Sequence, residues 1–297
     1  MSPPRVSVII PCYNLGQYLD EAVNSVRAQS FNDWEIVIVN DGSTDPATNR
    51  LLADYRRPKT RVLTTENRGL SAARNLAIAH ATGAYICALD ADDVLEPRYL
   101  ERAVAHLEAD PTLGFVSSWL ETFGDEQWVW KQDRCDLPAL LAECTVCTAA
   151  LVRKSAVDAV GGYDEQMKAG YEDWDLWISL VERGIRGTII PEVLFRYRRR
   201  AGSMSSTACE GQTHLSLIEY LLRKHRNAYA THVGEVLMLK EVALQRVQAM
   251  AQGRETQELR RALDHAERMV SAVMNSKSWK LTAPLRAVHD WLGRAAR

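Results

Sequence analysis

No apolar run in this 297-residue chain is long enough to span a bilayer. The opening residues, "MSPPRVSVIIPCYN", lack a basic region, a long apolar core and a small-residue cleavage site, so no secretory signal is expected and the expected compartment is the cytoplasm. The formal net charge of -2 leaves no basic excess to neutralise the phosphates of a duplex, and no nucleic-acid partner is expected. Of six cysteines only Cys144 and Cys147 have metal-like or redox-like spacing. With no second pair and no suitably spaced histidines, both thiols read as small core residues. There is no G-x-x-x-x-G-K-[ST], and no G-x-G-x-x-G follows the first strand-like run, which disfavours a P-loop NTPase and a Rossmann dehydrogenase.

What is present is alternation. "RVSVII" and "DWEIVIVNDGSTD" carry β-branched runs, and between them "LGQYLDEAVNSVRAQ" repeats apolar residues at helical spacing. "TRVLTTENRG" reads as a strand and loop, "LSAARNLAIAHATG" as a helix stopped by Gly83, and "AYICALDADD" as the next strand. Strands alternating with helices predict an α/β fold with a mostly parallel sheet, whose ligands sit beyond the carboxyl ends of the strands. "NDGSTD" and "DADD" both fall there.

Further on, "PRYLERAVAHLEAD" reads as a helix, and "LGFVSSWLETFG" and "EQWVWKQ" as strands. "TAALVRKSAVDAVGGYDE" reads as a strand, a helix and a Gly-Gly stop. A helix "YEDWDLWISLVERG" and a strand "GTIIPEVLFRYRRR" close the region, and beyond residue 205 only helical patterns remain. The expected organisation is a sheet domain over 1–205 and a helical extension over 206–297.

Asp90, Asp92 and Asp93 end an apolar run, where three carboxylates repel one another and resist desolvation. A metal ion, a basic partner or solvent must compensate for them. In an extended chain Asp90 and Asp92 project to one side, a good oxygen-donor pair for Mg²⁺ or Mn²⁺ when a diphosphate supplies further ligands. Glu172, Asp173 and Asp175 lie near a helix start, where the dipole alone favours acids. Trp174 and Trp177, three apart, serve either the core or a stacking surface for a sugar ring. Arg196, Arg198, Arg199 and Arg200 follow a strand and are suited to pair with phosphates or with the acids.

In this order, "VSVIIPCYN", "IVIVNDGSTD", "ENRGLSAARNLAIAHATGAYICALDADD", "GGYDE" and "YEDWDLWISL" resemble the family 2 inverting glycosyltransferases of the GT-A fold, over roughly residues 5 to 205. The resemblance implies that Pro11, Tyr13 and Asn14 help hold a nucleotide-sugar donor, that Asp41 recognises the base and that Arg74 lies near the diphosphate. It implies a D-x-D motif, with Asp92 as the direct ligand of a divalent metal, Mn²⁺ or Mg²⁺, and Asp90 placed toward the metal and the ribose or sugar. It implies Asp173 as general base, with Glu172 orienting the acceptor or the neighbouring loop. Trp174 and Arg200 are candidate contacts to acceptor or phosphate. Many relatives carry histidine where this chain has Arg200, which can replace the charge but cannot ligate the metal.

The expected activity is transfer of a sugar to a glycan or lipid-linked acceptor in surface polysaccharide biosynthesis. A nucleotidyltransferase of related fold and a non-catalytic nucleotide-sugar or glycan-binding subunit are the alternatives. The basic tail "SKSWKLTAPLRAVHDWLGRAAR", with Trp279 and Trp291, resembles C-terminal segments of bacterial polysaccharide glycosyltransferases. It is suited to lie on the inner face of an anionic membrane, to pack on its own domain or to meet a partner in a homodimer.

Overall fold

A computed structural model describes residues 3–204, 208, 211–245 and 247–249. The first β-branched runs form β1 (Val6–Cys12), β2 (Trp34–Asp41), β3 (Thr60–Thr65) and β4 (Tyr85–Ala88), parallel neighbours in the order β3-β2-β1-β4. Every residue of β1 and β2 is buried, as expected of strands covered on both faces. Covering helices in this half are α1 (Gly16–Arg27), α2 (Pro46–Ala53) and α3 (Leu70–His80).

The second half is mixed. It contains β5 (Val94–Leu95), α4 (Tyr99–Ala109), β6 (Leu113–Gly124), β7 (Val129–Trp130), α5 (Leu137–Ala142), β8 (Leu151–Arg153), α6 (Lys154–Val160), α7 (Glu172–Glu182) and β9 (Arg186–Arg199). The sheet continues β4-β8-β6-β9-β5, with β8 antiparallel to both neighbours and β9 parallel to β6. The β6–β9 register shifts where Ser118 pairs Ile190 but Trp119 pairs Val193. Pro191 lies in that interval, and its ring leaves no N–H for the ladder.

Three local features differ from the sequence reading. α2 and α5 are additional, each opened by an aspartate cap: Asp45 accepts from the N–H groups of Ala47 and Thr48, and Asp136 from that of Ala139, each with a proline in the first turn. α3 ends at His80, before Gly83. Gly83 serves a close approach instead, since a Cβ there would lie 2.7 Å from the backbone nitrogen of Ser7.

Contacts divide the chain into two compact units, 1–239 and 240–297. α8 (Gly211–Lys224), beyond the boundary expected near residue 205, belongs to the first unit and buries Leu217 and Leu221. Among the described residues no helix is long and apolar enough to cross a membrane. The tail at 276–297 lies outside them.

Candidate active site

Because β1, β2 and β4 run parallel, their carboxyl ends and the loops that follow open on one edge. A cavity of about 670 Å³ lies there, within the range of small-molecule sites. Of the residues expected in the site it is lined by Pro11, Tyr13, Asp41, Asp90, Asp92, Glu172, Asp173 and Arg200. The first three come from the β1 and β2 ends, the two aspartates follow β4, and the last three belong to the second half of the chain.

The backbone turns after β4, with the Asp93 N–H donating to the Asp90 carbonyl at 3.0 Å, so the three acids diverge. Asp90 pairs with Arg74 at 2.7 Å, and Asp92 with Arg200 at 2.7 Å. Asp93 turns inward and accepts the Arg198 N–H at 2.8 Å. Burial, with the charges of Asp90 and Asp92, pushes the Asp93 carboxyl well above the ordinary range. Burial also raises Asp92, against the opposing hydrogen bond from Arg200. Asp90 and Asp92 are therefore compensated by arginine side chains, whereas Asp93 is met by a backbone N–H. The other arginines of the cluster also meet acids or rings: Arg198 pairs with Glu21, Arg199 lies 3.4 Å from Glu126, and Arg196 stands over Phe123.

Arg74 is completely buried behind the cavity wall. Its guanidinium also reaches Glu172 at 2.5 Å and the Thr148 hydroxyl at 3.3 Å, and lies over the Tyr163 ring. One cation thus faces Asp90, Glu172 and the nearby Asp173. Burial pushes Glu172 up to about 7, against the pull of Arg74 and with help from Asp173. Asp173, half-buried on the cavity wall, is also raised by burial, and it accepts the Trp174 N–H at 2.8 Å. A carboxylate with a raised pKa at a cavity wall is suited to accept a proton near neutral pH.

The loop before α3 is organised by Asp41, whose two oxygens accept the N–H groups of Arg68 at 2.9 Å and Gly69 at 3.0 Å. Asn14, in the left-handed region at φ 56°, accepts from the N–H groups of Thr44 and Asp45 at 2.8 Å. Its side chain ties the β1 loop to the β2 loop and lines no part of the cavity.

Residues 7–161 match the family model described as Glycosyl transferase family 2. The chain belongs to that family. It is 33% identical over 206 residues to a putative glycosyltransferase, EpsE, of Bacillus subtilis, covering 66% of this chain and 74% of that protein. It is 39% identical over 114 residues to the chondroitin synthase of Pasteurella multocida, covering 38% of this chain and 12% of that protein. The crystal structure of S. aureus TarS in complex with UDP-GlcNAc shares the fold, with a TM-score of 0.60 at 19% identity over 76% of this chain and 73% of that one. The expected GT-A fold is the fold of this glycosyltransferase.

Three expected side chains stand outside the cavity of the glycosyltransferase. Asn14 clamps loops and Arg74 lies behind the wall. Trp174 is core, with its indole N–H donating to the Leu140 carbonyl at 2.5 Å and no face open to a sugar. Trp177 is likewise buried, against Phe115.

Sequence reasoning passed over Arg68, Lys168, Tyr171, Tyr197, Met204 and Ala208, which also line the cavity. For Arg68 the "ENRG" turn that opens the quoted motif is an available signal; Met204 and Ala208 follow the last strand and carry none. Cys144 lines the wall, whereas Cys147 is buried and receives the Ser117 hydroxyl at 3.3 Å. Burial raises both thiols, as befits small packing residues.

The residues present fit a hard divalent cation. Asp90 and Asp92 face one cavity from either side of a turn, and each commits one oxygen to a guanidinium. Among the described residues no third acidic, histidine or cysteine side chain joins them in a metal-holding group. That donor set suits Mg²⁺ or Mn²⁺ with phosphate oxygens completing the shell.

Proposed function

We propose that this glycosyltransferase moves a sugar from a nucleoside-diphosphate donor to a glycan or lipid-linked acceptor by a single displacement with inversion. The observation that carries the reading is one cavity wall holding Asp173 and Glu172 in the same charge cluster as Asp90, joined through buried Arg74.

In this mechanism Asp173 takes the proton of the acceptor hydroxyl as its oxygen bonds to the anomeric carbon, and the bond to the diphosphate breaks with its electron pair leaving on the nucleotide. Glu172, fixed by Arg74, orients the segment that carries the base. Pro11, Tyr13 and the loop shaped by Asp41 hold the nucleotide, with Asp41 within reach of the base. A divalent cation held by Asp92 and Asp90 would stabilise the departing diphosphate as a Lewis acid. Arg200, on Asp92, and Arg68 supply further positive charge at that end.

The match to polysaccharide-forming relatives such as the chondroitin synthase favours a growing surface polysaccharide as the product. A lipid-linked acceptor would place the work at the inner face of the membrane, with the basic, tryptophan-containing tail as the contact.

The test is release of nucleoside diphosphate from a panel of UDP-, dTDP- and GDP-sugars with Mn²⁺, comparing wild type with Asp173→Asn. Turnover by wild type, with loss in the variant and unchanged nucleotide binding, supports the reading. Equal turnover by the variant removes Asp173 as the base, and release of pyrophosphate would make the protein a nucleotidyltransferase.

A further inference from the structure

The segment that carries Glu172 and Asp173 is gripped from both sides by α8. Ahead of the acids, Tyr171 sits in the left-handed region at φ 62°, directly after Gly170 at φ 124°. A bulky residue rarely adopts that backbone unless its surroundings fix it. Here the Tyr171 hydroxyl meets His214 Nδ1 of α8 at 2.7 Å. The ring stands edge-on to Trp174 at 5.3 Å and to His214 at 5.9 Å. Gly170 admits the approach, because a Cβ there would lie 2.8 Å from that of Ala208. Beyond the acids, Lys224 at the end of α8 and His225 next to it meet Asp175 at 2.8 Å and 3.0 Å.

Tyr171 does more than connect. It lines the cavity beside Asp173, Cys144 and Thr148, residues from the second half of the chain, whereas the loops assigned to the nucleotide follow β1 and β2. β4 and its Asp90–Asp92 turn stand between β1 and β8 in the sheet, so with the nucleotide assigned to the β1 and β2 loops the acceptor is left the part of the cavity that Tyr171 lines. A phenol ring offers a rigid apolar face for the C–H face of a pyranose at small entropy cost, and its tied hydroxyl fixes the angle of that face.

We propose that Tyr171 positions the acceptor sugar and that His214 of α8 positions Tyr171, which makes the helical region after the last strand part of the acceptor site. This inference rests on the glycosyl-transfer reading above.

The experiment uses the full chain with saturating UDP, dTDP or GDP and Mn²⁺. Binding of the 4-nitrophenyl glycosides of glucose, galactose and N-acetylglucosamine is followed by saturation-transfer NMR. At least one glycoside binds wild type. Its affinity falls about fivefold in Tyr171→Ala and His214→Ala, the scale of one lost aromatic contact, while the nucleotide Kd stays within about twofold. His214→Gln, whose amide can still meet the hydroxyl, restores the glycoside affinity, a recovery that mere loosening of the fold would not give. Tyr171→Phe, which keeps the ring, behaves as His214→Ala and decides the matter if Tyr171→Ala fails to fold. Equal glycoside affinity in wild type, Tyr171→Phe and His214→Ala, or no glycoside binding to wild type, overturns the proposal. Failure of all three nucleotides to bind wild type overturns the glycosyl-transfer reading, and this inference with it.

Discussion

Arg74 and Glu172 meet at 2.5 Å with side chains 1% and 6% exposed, a guanidinium against a carboxyl inside the protein. The same guanidinium holds Asp90 on the cavity wall, so its loss leaves one buried and one half-buried carboxylate without their cation. Arg74→Met is expected to cost about 3–5 kcal/mol in urea denaturation, the scale for breaking one side of a buried pair. Arg74→Lys should recover only part, because an ammonium lacks the planar fork that reaches two acids at once. A loss below about 1 kcal/mol in the methionine variant would mean that the interior tolerates those charges alone.

The acid limb of the pH–rate profile follows from the same cluster. The base must be ionised to work, and burial raises both Asp173 and Glu172, the latter to about 7. Activity is therefore expected to fall as pH drops through an apparent value that belongs to the pair and lies above the ordinary carboxylate value of about 4. Initial rates at saturating donor from about pH 4.5 to pH 8.5 measure it; a limb centred near 4 contradicts the buried cluster.

Much of this was legible in the chain, for reasons that differ by residue. The β1 and β2 runs are rich in β-branched residues and the β4 run is continuously apolar, so both the strands and the location of the cavity at their ends could be read. Asp92 and Asp173 could be placed by motif. The inward turn of Arg74 could not, since its partners lie 16 and 98 residues away and nothing in "AARN" announces them. Trp174 and Trp177 share a helical face, but whether that face meets the core or a sugar depends on α5, which the sequence reading passed over although Asp136 and Pro138 signal its start. Asp41 bonds backbone N–H groups rather than side chains, and such partners leave no residue signature.

Asp92→Asn tests the metal assignment. The variant keeps shape but halves the carboxylate pair, so Mn²⁺-dependent thermal stabilisation by a nucleoside diphosphate should be lost, a shift that in wild type scales with ligand concentration over Kd. An unchanged Mn²⁺ requirement in calorimetry would move the ligand elsewhere.

Gly42 couples backbone geometry to the nucleotide loop. Its φ is +63°, and a Cβ would lie 2.4 Å from the backbone nitrogen of Asn67, beside the Arg68 and Gly69 groups that Asp41 holds. Gly42→Ala is expected to destabilise by about 1–3 kcal/mol and to weaken nucleotide binding, since backbone must shift to admit the methyl group. Wild-type melting temperature and nucleotide Kd would show the loop to be more compliant than its contacts imply.

His225 gives stability a pH dependence of its own. Its ring bridges Asp175 at 3.0 Å and Glu182 at 2.7 Å. Burial disfavours the imidazolium, but the hydrogen bonds and charges of those two carboxylates outweigh it and raise the pKa above the ordinary histidine value. The contribution is therefore complete below about pH 6.5, the unfolded value, and is lost as pH rises through the higher folded one. A neutral ring has one N–H and cannot donate to both acids. Lys224 also bonds Asp175 and stays charged throughout that range, so Asp175 retains a partner and the loss falls mainly on the Glu182 contact. The melting temperature of wild type minus that of His225→Asn should shrink between about pH 6 and pH 9. A difference that stays constant or grows over that interval would mean that the ring is neutral in the folded protein at every pH tested.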